Sequence, residues 1–323
     1  MTDGARRTRT FWAFAAIYII WGSTYLAIQV AIGTMPPFTL AASRFLLAGA
    51  VLYLWGRLRG EADPGPAVWR DAFLFGTLFF VIGNGLVVWA EQHVPSGRTA
   101  LLTSTSPIWM VVFESALAGW QRPPKRVIVG LVLGIVGLSI LATPRPGAGG
   151  EAIAASGIAA LVFAAAGWAA GSVWSHHHHL RGSPVMTTGM KMLGGGAQLG
   201  LLALVSGEEH RTSVGQISAA SWLALGYLVV FGSIIGFSAF TYLLRTTTPA
   251  VVGTSAYVNP LVAVFLGWAL AGEVVTSRMM LGAGVSLLGV LLIRWPVPVV
   301  PPPAEVEVGT IETGEFPVPN EPR

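Results

Sequence analysis

The chain has no cysteine among its 323 residues, so disulfides and thiolate-held metals are excluded. Charge is scarce as well: Asp, Glu, Lys and Arg together make 11% of the sequence. Soluble domains carry about 25%, and the deficit rules out a soluble fold. No phosphate-binding loop is found, because Gly194-Gly195-Gly196 lies inside an apolar run without a following Lys-Ser or a preceding strand. Alternation of apolar and polar residues, the mark of a membrane β-barrel, is missing too. Histidine keeps out of the apolar runs: His93 and His210 stand at or beyond their ends, and His176 to His179 fall in a loop between two of them. An enzyme working inside the bilayer would need a His/Glu metal set there, and none is offered. Four adjacent imidazoles lack the spacing of a zinc site, and they are read as an incidental loop.

What is present is apolar. Hydrophobic residues make 53% of the chain, glycines number 40, and the mean hydropathy is +0.66. A spanning helix needs about 20 apolar residues, and abundant glycine suits close helix packing in lipid. Ten runs qualify, at 11–32, 38–58, 72–91, 98–118, 127–142, 152–174, 185–206, 221–244, 249–271 and 277–295, the fifth being the shortest. The first follows Arg6, Arg7 and Arg9 but exceeds the 7–15 residues of a signal-peptide core, so it reads as an uncleaved helix.

The net charge of +4 reflects topology rather than nucleic-acid binding. With the N-terminus inside, Arg57, Arg59, Arg70, Arg122, Lys125, Arg126, Arg181, Arg245 and Arg294 join the N-terminal arginines and Arg323 in the cytoplasm. Only Arg98, Arg145, Arg211 and Arg278 fall outside. That positive-inside bias places both termini in the cytoplasm. The Pro/Val/Glu-rich tail at 296–323 has no helical period and is expected to be disordered.

A proline-containing stretch occurs twice. Thr103-Ser104-Thr105-Ser106-Pro107 leads into an apolar run closed by Ala116-Leu117-Ala118-Gly119, and Ala256-Tyr257-Val258-Asn259-Pro260 leads into one closed by Ala269-Leu270-Ala271-Gly272. Both pairs, Pro107/Pro260 and Gly119/Gly272, are offset by 153 residues. Pro37 and Arg44 correspond to Pro184 and Lys191, Gly22-Ser23 to Gly171-Ser172, Gly83 to Gly236, and Gly130 and Gly137 to Gly282 and Gly289. The chain therefore reads as two five-span units, 11–142 and 152–295, joined by the Pro/Gly-rich loop 143–150. An odd number of spans forces the second unit in from the opposite side. The fold expected is an all-α membrane protein of ten transmembrane helices in two inverted repeats.

Trp21-Gly22-Ser23-Thr24-Tyr25, Pro37 followed by Arg44, Asn259-Pro260, and Gly272-Glu273 followed by Gly282 resemble the EamA family of the drug/metabolite transporter superfamily. The likeness covers roughly residues 11–294. It implies a carrier of small metabolites, with helices one, three, four, six, eight and nine lining the cavity. Trp120-Gln121 departs from it by standing where Gly-Glu belongs in the first unit.

Candidate site residues follow from these readings. A proline inside an apolar helix frees the carbonyl four residues earlier, which needs a new partner or a wet cavity. Pro107 and Pro260 are thus expected to break and gate the fourth and ninth helices. The hydroxyls of Thr103, Ser104, Thr105 and Ser106 can satisfy the freed Thr103 carbonyl or face a ligand. Asn84 and Asn259 bring amides into hydrocarbon, where they seek an interhelical bond or a substrate. Trp21, Phe80, Trp109, Trp168, Phe237 and Tyr257 fall on the presumed cavity helices, where they serve packing or an aromatic wall for stacking and cation–π contact. Trp89 belongs to the interfacial belt. Arg44 and Lys191 are read as structural or gating, their stems long enough to snorkel. Glu114, a carboxylate well inside a run, either carries a coupling proton or pairs with Lys191 or Arg126. Neither cofactor nor metal is implied. The expected partners are the lipid bilayer and a small-molecule substrate, with no nucleic acid. The reading is a secondary carrier in the bacterial inner membrane that exports small metabolites, amino acids foremost, by alternating access. Efflux of cationic drugs and exchange of nucleotide sugars are the alternatives.

Overall fold

The computed structural model describes residues 3–94, 96–141, 155–208, 213–271 and 276–294. Arg145 and Arg211 of the charge count, the joining loop 143–150, Gly272-Glu273 and the tail 296–323 lie outside the described residues. Every regular element among the described residues is helical. Long apolar runs have this outcome in lipid, because only a helix satisfies its own backbone there.

The chain opens with α1 (Asp3–Ile32) and α2 (Pro37–Leu58). The third run is α3 (Pro66–Gly76), a π-helical stretch (Thr77–Gly85) and α4 (Leu86–Ala90) in unbroken succession. The fourth divides into α5 (Ser96–Thr103) and α6 (Ser106–Leu117), and α7 (Lys125–Leu141) follows. The second half brings α8 (Ala155–His177) and α9 (Pro184–Val205). Its eighth run repeats the pattern of the third, with α10 (Ala219–Tyr227), a π-helical stretch (Leu228–Ile235) and α11 (Gly236–Thr246). The ninth divides into α12 (Pro249–Gly253) and α13 (Ser255–Ala271), and α14 (Ser277–Arg294) is last.

Six of these helical runs are long and apolar enough to cross a membrane: those beginning at Gly4, Pro37, Pro66, Ala155, Ala219 and Ser277. The other expected spans are interrupted, short or more polar. The fourth and ninth are split, α7 has 17 residues, and α9 carries Lys191 and Gln198. Leu58, Phe163, Leu223 and Met280 all turn outward with at least 67% of their surface exposed, an apolar exterior suited to lipid.

Two long crossings organise the bundle: α2 runs along α9, and α7 along α14. Glycine permits both. A Cβ on Gly49 would stand 2.9 Å from the Gly189 carbonyl, and one on Gly189 2.9 Å from the Gly49 carbonyl. Between α7 and α14 a Cβ on Gly130 would stand 2.8 Å from the Gly289 carbonyl, and one on Gly137 2.6 Å from the Gly282 carbonyl. Backbones this close gain dispersion contacts that hydrophobic burial cannot supply within lipid.

One end of α2 is held from the other half. Pro36, at its N-cap, supplies no side-chain bond. The buried Glu208 carboxylate instead accepts from the Phe38 amide (3.1 Å), the Thr39 amide (2.7 Å) and the Thr39 hydroxyl (2.9 Å). Anionic acceptors suit the positive end of a helix. Glu208→Ala strands those donors, and a loss of about 2–3 kcal/mol is expected. A thermal melt in detergent reads it as a lower Tm, with Glu208→Gln falling between the variant and the native chain.

The prolines do not sit at the breaks. Pro107 occupies the first turn of α6, where its missing N–H is harmless, and the chain turns just before it at Ser104-Thr105. Pro260 lies inside α13, past the interruption at Thr254. The carbonyl it frees, that of Ala256, accepts from the Ser104 hydroxyl at 2.7 Å. The polar run thus satisfies the proline of the other half rather than the Thr103 carbonyl expected from its own.

Candidate functional site

The π-helical stretches of the third and eighth runs face the middle of the bundle, against α8 and α2 respectively. A π turn spreads one extra residue around the helix and occurs mostly at functional sites. In the second stretch the Gly232 carbonyl accepts from the Trp21 indole at 3.0 Å. Gly236 leaves room for that ring: a Cβ there would sit 2.6 Å from the indole nitrogen.

Trp168 of α8 stands at the centre of an aromatic cluster. Its ring lies 5.4 Å from Trp21, 5.2 Å from Phe79, 5.9 Å from Phe237 and 5.1 Å from Phe240, several of these edge to face. Two cavities flank it. One, about 90 Å³, is lined by Thr103, Ser106 and Met110 with Ala164, Ser255 and Asn259. The other, about 100 Å³, is lined by Thr24, Tyr25, Arg44, Phe80, Asn84 and Phe237. Trp21, Val87 and Trp168 belong to both walls, so these three side chains stand between the cavities. Small-molecule sites usually measure about 300–1,000 Å³, and each cavity in this conformer holds only a few waters.

Arg44 does not snorkel. It is 5% exposed, its Nε donates to the Ser233 hydroxyl at 2.8 Å, and its guanidinium carbon lies 4.9 Å from the centre of the Phe45 ring. No carboxylate among the described residues pairs with it, and it borders the second cavity. Lys191 is likewise 4% exposed, donates to the Ser175 hydroxyl at 2.9 Å and lies 4.4 Å from the centre of the Phe75 ring. Lys191 lines neither cavity.

Asn84 is half-buried in the wall of the second cavity and makes no hydrogen bond to a described residue, which leaves its amide available. Asn259 is more engaged. With its amide nitrogen turned to the carbonyls, it donates to Ser255 at 2.9 Å and Tyr18 at 3.3 Å, while still bordering the first cavity. The Thr103 hydroxyl donates back to Thr99 at 2.9 Å and meets the Tyr25 hydroxyl at 3.1 Å.

Three expected residues lie elsewhere. Tyr257 is fully buried on the far side of α13, where Gly134 of α7 makes room for its ring, and it touches neither cavity. Trp109 stacks on Phe113 at 6.0 Å and packs with Met110, Ala169 and Val173. Glu114 meets His177, Oε1 to Nε2 at 2.8 Å, and Lys191 is engaged elsewhere, with Ser175. His176 and His177 form the last turn of α8 rather than a loop.

Thr24 and Tyr25 stood out in the sequence only as part of the Trp21–Tyr25 motif and Ile28 not at all, yet all three line the second cavity with Trp21. The signal was the spacing itself: positions 21, 24, 25 and 28 share one face of a helix. Ser255 and Met110 gave no such signal.

The sequence profile of the EamA-like transporter family matches residues 9–143 and again 155–295. The "uncharacterized inner membrane transporter YedA" of Escherichia coli K12 is 37% identical over 286 residues, which cover 88% of this chain and 90% of that protein. The "probable terminal-alkyne amino-acid exporter" of Streptantibioticus cattleyicolor is 26% identical over 292 residues, 89% of this chain and 94% of that one. A protein crystal structure with 22% identity, covering 89% of this chain and 96% of its own, superposes with a TM-score of 0.71, so the fold is shared. With its helical, lipid-suited exterior and its central cavities, the chain belongs to the EamA-like transporter family and is a membrane transporter.

Proposed function

We propose that the chain is a secondary carrier of small zwitterionic metabolites, amino acids with large neutral side chains foremost, exporting them across the bacterial inner membrane. The observation that carries this is Arg44: a buried guanidinium beside a cavity, without a carboxylate partner among the described residues. An unpaired cation is costly to bury, and an incoming carboxylate relieves that cost through charge-assisted bonds. Asn84 offers an amide nearby, and Trp21, Phe80, Trp168 and Phe237 offer an apolar wall for the side chain. The amino-acid exporter among the relatives is consistent with this class.

The same aromatic wall suits cations. Arg44 disfavours them, since a second positive charge in that low-dielectric space is repelled.

The mechanism proposed is alternating access by two inverted five-helix units, with both termini in the cytoplasm. Several features support the duplication. The paired crossings join corresponding helices, and the π-helical stretches fall in corresponding runs. Exchanging the two halves turns the Gly130–Gly289 contact into the Gly282–Gly137 contact. The split fourth and ninth runs put Thr103, Ser106, Ser255 and Asn259 around the first cavity, where irregular backbone meets water. In this scheme Trp168 is the partition, and its displacement joins the two small cavities into one of substrate size.

Reconstitution in liposomes tests the reading. Saturable counterflow of radiolabelled leucine, phenylalanine or tryptophan is expected, with little flux of an amphiphilic cation such as tetraphenylphosphonium. Cation flux without amino-acid flux overturns it in favour of drug efflux.

A further inference from the structure

The ends of α6, α8 and α11 meet at one end of the bundle, and a cluster of ligating side chains gathers there. One donor atom from each of Glu114, His176 and His177 lies within 4.8 Å of the others. Glu114 comes from α6 in the first half, and the two histidines come from the last turn of α8 in the second. Glu114 Oε1 and His177 Nε2 are 2.8 Å apart. Donors held about 2.1 Å from a tetrahedral ion stand roughly 3.4 Å from one another. The Glu114–His177 pair, at 2.8 Å, is a little closer than that, and the remaining separations are within 4.8 Å, so small rotamer shifts close the site.

Two further features point to a ligand. His176 Nδ1 stands 2.6 Å from the Leu244 carbonyl of α11, and only the Nδ1–H tautomer makes that contact favourable. The bond fixes the ring and leaves the Nε2 lone pair free, the arrangement by which a backbone carbonyl orients a metal-bound imidazole. Glu114 Oε2 is shielded from solvent and has no hydrogen-bond partner among the described residues. A carboxylate oxygen in that condition accepts a metal or proton readily.

We propose that Glu114, His176 and His177 form a site for a divalent transition metal, zinc by preference, that clips α6 to α8. Two imidazoles and one carboxylate, with a fourth position open to water, suit zinc, cobalt or nickel better than the oxygen-seeking magnesium or calcium. The ion takes the place of the direct contact between His177 Nε2 and Glu114 Oε1, each of which then faces the metal instead of the other. The same helices line the first cavity through Ser106, Met110, Ala164 and Trp168, so the clip holds that cavity's walls together at one end. The site's existence does not depend on which solute the carrier moves.

The neighbouring His178 and His179 supply the control. His178 faces Asp71 at 3.5 Å and His179 bonds back to the Ser175 carbonyl at 3.1 Å, so neither belongs to the cluster. Calorimetric titration of the full-length protein in detergent with zinc chloride is expected to show one site per chain. Zinc should also raise the Tm. Glu114→Gln and His177→Asn should each weaken binding at least about tenfold, in line with the loss of one ligand, while leaving the metal-free Tm near native. The double variant His178→Asn/His179→Asn should bind as the native chain does. Native affinity in Glu114→Gln, or loss of binding in the His178/His179 variant, overturns the proposal, since a loose run of histidines would then be holding the metal.

Discussion

Replacing Arg44 with methionine is expected to cut amino-acid counterflow about a hundredfold while leaving the folded protein as stable as before, or more so. The two halves of that expectation have different causes. A carboxylate held by a guanidinium in a dry cavity gains about 3 kcal/mol over one that meets only apolar surface, which is roughly a hundredfold in affinity. Stability runs the other way. Arg44 is buried, with a hydrogen bond to Ser233 and the Phe45 ring against its guanidinium. Removing an uncompensated buried charge and filling its place with an isosteric apolar chain is often neutral or stabilising. Ser233 loses a donor but keeps its own hydroxyl to reorient. Arg44→Lys should not rescue transport, because lysine cannot both reach Ser233 through an Nε donor and present a planar fork to a carboxylate. Counterflow and a thermal melt on the same preparation separate the roles. A methionine variant that transports normally removes the carboxylate-binding role. One that loses transport and also melts far lower makes Arg44 a structural residue, as its position two turns into α2 had suggested from sequence.

Much of the fold was legible, and the reason is physical. Lipid leaves one solution for a run of some twenty apolar residues, so composition alone announced helices. Trp21, Phe80, Asn84, Trp168 and Phe237 border the second cavity because they sit on helices that the bundle turns inward. What failed to show was register and partnership. Tyr257 is two residues from Asn259, and on a helix that separation turns two side chains about 200° apart. One therefore faces the cavity and the other faces Gly134. Proline announced broken helices, but the break falls where the neighbouring half can answer it. The Ala256 carbonyl finds Ser104, 152 residues away, and no local rule predicts that partner. The π-helical stretches at Thr77–Gly85 and Leu228–Ile235 carry no local code either. Their sequences are ordinary apolar helix, and the extra residue per turn reflects what packs against them. Glu114 and the histidines were read apart because the α6–α8 contact that joins them is tertiary.

Leucine at Gly137 is expected to destabilise the protein by about 3 kcal/mol or more, enough to lower the yield of folded material sharply. A Cβ there would stand 2.6 Å from the Gly282 carbonyl and 2.8 Å from the Ser286 Cα, and it would overlap the Ser286 amide nitrogen as well. All three obstacles are backbone, so no rotamer change relieves them, and α7 must move off α14. Overpacking of this kind typically costs 1–3 kcal/mol where side chains can yield, and more where they cannot. Separating the helices also forfeits the dispersion contacts along the crossing, the main attraction available to helices surrounded by lipid. Gly284, on α14, is the internal control: a Cβ there meets nothing within 4 Å, so Gly284→Leu should melt near the native Tm. Gly289 makes the test sharper. It is the repeat counterpart of Gly137, and its Cβ would stand 2.7 Å from the Gly134 amide nitrogen on the opposite helix. If α7 and α14 cross on a pseudo-twofold axis, Gly289→Leu must destabilise about as much as Gly137→Leu, because each intrudes on the backbone of the other copy. Intrinsic fluorescence from the 12 tryptophans gives the melts without a label. Equal losses in the two variants are what an inverted duplication requires. A tolerated Gly289→Leu beside a collapsed Gly137→Leu would leave the crossing asymmetric and take away the packing argument for two equivalent halves.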